Sequence, residues 1–315
     1  MKRRLAPAKQ TGAALLTAML TVTLVATFAA TALWQQWRNV EVELAERNRA
    51  QMRWLLTGAQ DWARLILRED ARSGTTDHLA EPWAIPLQES RLSSFLAVDK
   101  NNSNPEQDLF LSGQITDLQS RLNVFNLVDG NKVYEPVLQS FGKLFEALNL
   151  PLSELDLLSS NLILANDSFA AQAPLMPQTL EQLVWLGLSV KSLQILKPYI
   201  CWLPERTTVN LNTASAMVIY ASVAELELNE ANGMVRARAN QHFRTLADAA
   251  KTLQNYSDRL SVGSRYFEVR GRLRVGQTTV EERSLVRRDG IEVKTVWRER
   301  AVLSELTHSH GSSLQ

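Results

Sequence analysis

Four histidines, one cysteine and thirty-three carboxylates are the groups of this 315-residue chain that could serve as base, nucleophile or metal ligand. The histidines are His78, His242, His308 and His310. Only the last two are neighbours, and a His-x-His pair in a polar tail lacks the fixed geometry that a resident metal needs. No H-E-x-x-H, nucleophile elbow, phosphate loop or dinucleotide fingerprint occurs. Glu281 and Glu282 fall on alternate faces of a strand, so they do not converge on one bond as a hydrolase pair must. Cys201, being alone, excludes an intrachain disulfide and a multi-thiolate metal site, and reads as a small buried hydrophobe. Asp99, Asn101 and Ser103 copy the first ligands of a calcium loop. Asn104, however, stands where the turn glycine is required and Phe110 where the bidentate glutamate should be. That stretch reads as a solvated loop, and the chain as a whole reads as a non-enzyme.

Net charge is +1 with the signs interspersed, so no bulk field selects a polyanion. One segment still raises nucleic acid. "TTVNLNTASAMVIYASVAELELNEANGMVRARANQHFRTLADAAKTL", residues 207–253, is similar to the NxNTAS helix-hairpin-helix unit of DNA-binding competence proteins, and "TLEQLVWLGLSVKSLQILKPYI" is a degenerate copy ahead of it. In the nucleic-acid-binding form, a Gly-hydrophobic-Gly hairpin brings backbone amides up to a phosphate. Here the hairpin is Ala224-Glu225-Leu226-Glu227, with no glycine and two carboxylates that repel phosphate. No nucleic-acid partner is expected. Asn210, Asn212 and Thr213 read as helix caps ahead of Ala214, and Arg236, Arg238 and Arg244 as a solvated or partner-facing surface.

The elements that would position such groups begin with the N-terminus. From Gln10 to Gln36 there is no ionisable side chain, and Ala13 to Trp34 is long enough to cross a bilayer core of about 30 Å. Lys2, Arg3, Arg4 and Lys9 precede it, which places the N-terminus in the cytoplasm and the bulk of the chain outside. A secretory signal would carry a shorter apolar run of roughly 7 to 15 residues. Apolar residues at Trp37, Val40, Leu44, Met52, Leu55, Ala59, Trp62 and Ile66 continue the pattern as one helix to about Asp70. A basic leader ending in Gly12, followed by Ala13-Ala14-Leu15-Leu16 and such a helix, resembles the type IV pilin and pseudopilin signature. That resemblance implies cleavage by the prepilin peptidase after Gly12 and a new, N-methylated terminus at Ala13. Most pilins carry a glutamate at the fifth residue after the cut, where this chain has Thr17. A carboxylate in hydrocarbon costs at least about 2.5 kcal/mol unless paired. A tip subunit, with no neighbour ahead to pair it, is better served by a neutral residue.

Beyond the helix, residues 73–105 are irregular, and "GQITDLQSRLNVFNLV" reads as one straight or bent strand. Helices are expected over 133–148, 152–165, 179–186, 191–196, 214–228, 229–243 and 246–253, punctuated by prolines. "RYFEVRGRLRV", "TTVEERSLVRR" and "IEVKTVWRER" alternate apolar and charged residues, with turns at Gly276-Gln277 and Asp289-Gly290. An antiparallel meander with one wet face follows, buried on the amphipathic half of the long helix. The fold class is α+β, a long transmembrane and amphipathic helix on an antiparallel sheet with a large inserted all-α domain. The boundaries are 1–12 leader, 13–34 transmembrane helix, 35–128 first part of the body, 129–258 insert, 259–303 C-terminal meander and 304–315 disordered tail.

The leader and helix, "DLQSRLNVFNLV", "LPERTTVNLNTAS" and "VGSRYFEVRGRLRV…ERSLVRR" together resemble one family along nearly the whole chain. It is general secretion pathway protein K, the large minor pseudopilin of bacterial type II secretion. The resemblance implies a pseudopilin body with a helix-hairpin-helix-like insert, an inner-membrane anchor, and a place at the tip of the periplasmic pseudopilus. It implies minor pseudopilins I and J, other pseudopilins and the prepilin peptidase as partners. Some members bind calcium in the pseudopilin body; no ligands for it are assigned to positions here. The rival reading is a membrane-anchored helix-hairpin-helix protein that binds DNA in the periplasm.

Overall fold

The computed structural model describes residues 11–92, 109–166, 173–275 and 278–304. The basic leader before Thr11, the Asp99 to Asn104 stretch, the Gly276-Gln277 turn and the tail with His308 and His310 lie outside the described residues. The chain divides into two compact units, Met1–Leu55 and Leu56–Gln315.

A single helix, α1, runs Thr11–Ser73. Within the first unit its side chains from Ala13 to Trp37 are all exposed. It is the one helix among the described residues that is long and apolar enough to cross a membrane. Threonine hydroxyls in this stretch bond back to their own helix, Thr21 to Ala18 O at 2.9 Å, Thr27 to Leu24 O at 2.8 Å and Thr31 to Thr27 O at 2.7 Å. In lipid this satisfies each hydroxyl without a partner from outside the helix.

In the second unit, α1 buries Leu56, Gln60, Ala63 and Leu67, spaced four, three and four. This stripe is offset by one position from the Ala59, Trp62, Ile66 series that the apolar pattern selects; Trp62 is 41% exposed. The polar Gln60 conceals the true face. It is buried because its amide donates to Val269 O and Glu282 O, at 3.4 and 3.5 Å, and accepts from the Ser284 hydroxyl at 2.5 Å.

The sheet receiving this face has five strands: β1 (Leu87–Arg91), β2 (Leu109–Asp117), β3 (Tyr266–Val275), β4 (Thr278–Asp289) and β5 (Glu292–Ser304). They lie side by side in chain order, every neighbour antiparallel. Phe267 and Val269 of β3, Val286 of β4 and Ile115 of β2 close on Ala63, Leu67 and Trp83. Trp83 meets Phe267 edge-on at 5.2 Å. Strand β1 was not legible in its polar "LQESR" and falls inside the stretch read as irregular; pairing with β2 orders it. The expected strand through Val128 instead ends at Asp117, whose carboxylate caps a short 3-10 turn, Leu118–Ser120. Gly290, at φ +57°, makes the tight turn into β5.

Between β2 and β3 stands the helical insert. Its helices are α2 (Glu135–Ala147), α3 (Leu152–Asn166), α4 (Val190–Leu196), α5 (Ala216–Ser222), α6 (Leu228–Asn240) and α7 (Leu246–Ala249). Leu180–Leu186 is 3-10, closed by Gly187 at φ +109°, where a side chain would also strike Leu157. Phe141, Leu144, Phe145, Leu158, Leu186, Leu196 and Ile219, all under 2% exposed, fill one core. The insert also reaches the sheet's outer face. Leu118, Cys201 and Leu203 cover Tyr266 and Leu285, so only the remainder of that face is wet.

Candidate functional site

Two places carry the residues that sequence reasoning singled out. The first is the start of α1. Gly12 and Ala13 lie in its opening turns, and Thr17 donates its hydroxyl to Ala13 O at 3.1 Å and Ala14 O at 3.0 Å. At the position where pilins carry an acid, this chain therefore has a polar group already satisfied within its own helix.

The second is the junction of insert and sheet. Asn210, Asn212 and Thr213 come together here, but not as caps: Ser215 caps α5, accepting from Val218 N. Asn210 and Asn212 are at most 1% exposed, and Thr213 is buried too. The Asn210 amide reaches Asp77 O at 3.0 Å, the Asp117 carboxylate at 3.2 Å and the Ser264 hydroxyl at 2.9 Å. Asn212 pairs with both backbone groups of Phe243, accepting its N–H at 2.8 Å and donating to its carbonyl at 2.9 Å. Thr213 and Ser264 donate to one oxygen of Asp117 at 2.5 and 2.6 Å, while Gln119 N donates to the other at 2.7 Å. Gly263 is needed beside this network because a Cβ there would lie 2.3 Å from Thr75 O.

Burial pushes Asp117 up to about 6, against the hydrogen bonds from Ser264 and Thr213 that favour its ionised form. The folded state thus holds this proton more tightly than the unfolded chain. Its contribution to stability grows as pH falls from above 6 toward 4, since the unfolded state binds fewer protons in that window. Melting curves of the wild type and of Asp117→Asn should show this directly. The wild type gains on the non-titrating variant by about 5 °C between pH 7 and pH 5; a constant gap would contradict the assignment.

Beside Asp117, Arg288 of β4 points inward. Its guanidinium donates to Asp70 at 2.7 Å, to both oxygens of Asp77 at 2.5 and 2.6 Å, and to Ser264 O at 2.9 Å. It lies over the Phe267 ring at 4.9 Å. The sequence pattern does not single out Asp77, Asp117 or Arg288. Arg288 had one signal, a charge at an inward position of an alternating strand.

Asp70, Asp77 and Glu81 bring carboxylate oxygens within 4.8 Å of one another, the spacing of a cation site. The residues do not fit a calcium ion. Arg288 already supplies the positive charge to Asp70 and Asp77, and Glu81 accepts from His78 N at 2.8 Å and Trp83 Nε1 at 2.7 Å. A divalent cation would sit against the guanidinium. His78 stacks on His242 at 3.9 Å, with burial holding His242 below its ordinary value.

The hairpin 224–227 is closed to phosphate for a further reason. Lys143 of α2 donates to Val223 O, Ala224 O and Leu226 O at 2.8, 3.0 and 3.2 Å, so carbonyls rather than free amides define that turn. Arg238 was expected on the surface and is instead half-buried, bonded to Leu211 O. Arg236 and Arg244 are exposed.

The family model for type II secretion system protein K matches residues 209–268, the segment that supplies Asn210, Asn212, Thr213 and Ser264 to this junction. Over 298 residues the chain is 25% identical to type II secretion system protein K of Pseudomonas aeruginosa, covering 85% of each. Against protein K of Pectobacterium carotovorum it is 24% identical over 333 residues, covering 92% of this chain and 96% of that protein. The chain resembles type II secretion protein K. A solved structure, the GspK-GspI-GspJ complex of the enterotoxigenic Escherichia coli type 2 secretion system, has a chain of the same fold. The match has a TM-score of 0.60 at 19% identity, spanning 82% of this chain and 98% of that one. Of the junction's residues, Asn210, Asn212, Thr213 and Ser264 fall within the segment matched by the family model, whereas Asp77, Asp117 and Arg288 lie outside it.

Proposed function

We propose that the chain is a minor pseudopilin of a type II secretion system that caps the periplasmic pseudopilus and helps start its assembly for protein export. The observation that carries this is the likeness to protein K over 85% of both chains. The work done is assembly, not turnover, and the reading requires no cofactor. The apolar part of α1 stores the subunit in the inner membrane as a single pass, with the cationic leader, Lys2, Arg3, Arg4 and Lys9, in the cytoplasm. The prepilin peptidase cuts after Gly12 and Ala13 is methylated. Thr17, satisfied within its own helix, demands no amine from a subunit ahead. Ala14, Ala18, Ala26 and Ala30 let helices of other pseudopilins approach closely.

Minor pseudopilins I and J are the partners, since the solved complex of like fold holds GspK with GspI and GspJ. Tagged chain purified from membranes that also contain I and J should retain both through a salt wash; loss of both would overturn the reading. The DNA-binding rival predicts tight, steeply salt-dependent gel shifts. Glu225 and Glu227, with Lys143 on the hairpin carbonyls, argue for no shift at physiological salt.

A further inference from the structure

Where the insert meets the wet part of the sheet's outer face, a cleft of about 440 Å³ opens between residues 118–121, residues 178–202 and strands β3 to β5. Its size is in the range of ligand sites, and junctions between parts of a fold are where such sites concentrate. Four cations and two carboxylates line it. Lys197 is paired with Glu181 at 2.9 Å. Arg270 is paired with Glu268 at 3.0 Å, and Arg283 with Glu299 at 2.7 Å. The remaining cation, Arg121, is half-buried and its guanidinium has no hydrogen bond or ion pair among the described residues. The adjoining Cys201 thiol, pushed up to about 12 by burial, stays neutral and offers no counter-charge.

One unmatched positive charge calls for one negative charge. Glu181 and Glu268 at the same walls disfavour a dianion such as phosphate, whereas a carboxylate meets a guanidinium with two parallel bonds. Apart from Gln178, Thr179 and Gln194, the rest of the lining is apolar or aromatic, with Trp202 from the insert and Trp297 from β5, the latter held under Arg283 at 5.5 Å. Strand β5 ends the sheet, so its outer edge carries backbone groups that an extended chain can pair with. We propose that this cleft binds one carboxylate presented by an extended peptide segment, an aspartate or glutamate flanked by apolar residues. Arg121 holds the carboxylate, and Trp202 and Trp297 hold its neighbours. The inference does not depend on the pseudopilin reading.

The test is calorimetric titration of the full chain, purified in detergent, with the peptide acetyl-Gly-Leu-Asp-Leu-Gly-amide. Saturable binding is expected, weakened at least about tenfold when asparagine replaces the aspartate. Arg121→Ala should lose the same factor without a change in melting temperature, and Arg121→Lys should keep part of it. Sodium acetate, a free carboxylate with the same single charge, should compete at least about tenfold more weakly than the peptide. Absence of saturable binding at millimolar peptide would overturn the proposal. So would equal binding of the two peptides, an unaffected Arg121→Ala, or acetate competing as well as the peptide. The comparison of the two peptides needs only the wild-type protein, so it stands even if a variant fails to fold.

Discussion

Replacing Arg288 with methionine lowers the stability of the folded chain by about 3 to 5 kcal/mol, the cost of leaving buried charge without its partner. The side chains of Arg288, Asp70 and Asp77 are 7%, 8% and 1% exposed, so water cannot take over the lost contacts. Both oxygens of Asp77 are held by the guanidinium, and Asp70 is bonded to the same group. Burial already pushes Asp70 up to about 6, with Glu81 and Asp77 adding repulsion. Without Arg288 three carboxylates face one another. Urea unfolding of the detergent-solubilised chain, followed by the fluorescence of the buried Trp83, gives the number. Adding Asp77→Asn to Arg288→Met should restore part of the loss, because a neutral pair removes the stranded charge. A loss under about 1 kcal/mol for the single variant would mean that the pair is not buried as described.

Asn210→Ala is expected to cost roughly 2 to 4 kcal/mol, from several buried groups each left without a partner. Its amide serves Asp77 O, Asp117 and Ser264, and its oxygen accepts Asn212 N at 2.9 Å. The Asn210 side chain is 0% exposed, so bulk solvent does not stand in for these partners. Asn210→Asp keeps the shape but sets a second carboxylate against Asp117. It should therefore be at least as damaging at pH 7 and recover as pH falls toward 5, when the buried carboxyls protonate. Thermal melts of both variants across that range decide it. An Asn210→Asp variant as stable as the wild type at pH 7 would show that the Asp117 site is not closed.

What the sequence made legible follows from the range of the forces involved. The long apolar helix was visible because hydropathy is read residue by residue. Strands β3 to β5 were visible because Phe267, Val269, Leu273 and Val275 alternate with arginines and Asp289-Gly290 marks a turn. The helical insert was read from apolar periodicity and its prolines, although Ala214–Leu228 shortened to Ala216–Ser222 once the hairpin was fixed by Lys143. The junction was not legible. Arg288 pairs with Asp70 and Asp77, 218 and 211 positions away, and Asn210 reaches Asp117 across 93. Such polar contacts have no period, and a local reading of Asn210 and Thr213 finds only a helix cap. Gln60 shows the same limit in a smaller way: a polar residue on a buried stripe looks like a solvent-facing one until its partners on the sheet are known.

If the chain is a processed pseudopilin, its long apolar helix is retained when the leader is removed. Mass spectrometry of the N-terminal peptide of the chain, purified from cells that carry the prepilin peptidase, tests it most directly. The account predicts a polypeptide that begins at N-methylated Ala13. A polypeptide that begins at Met1, or downstream of Trp34, would contradict it.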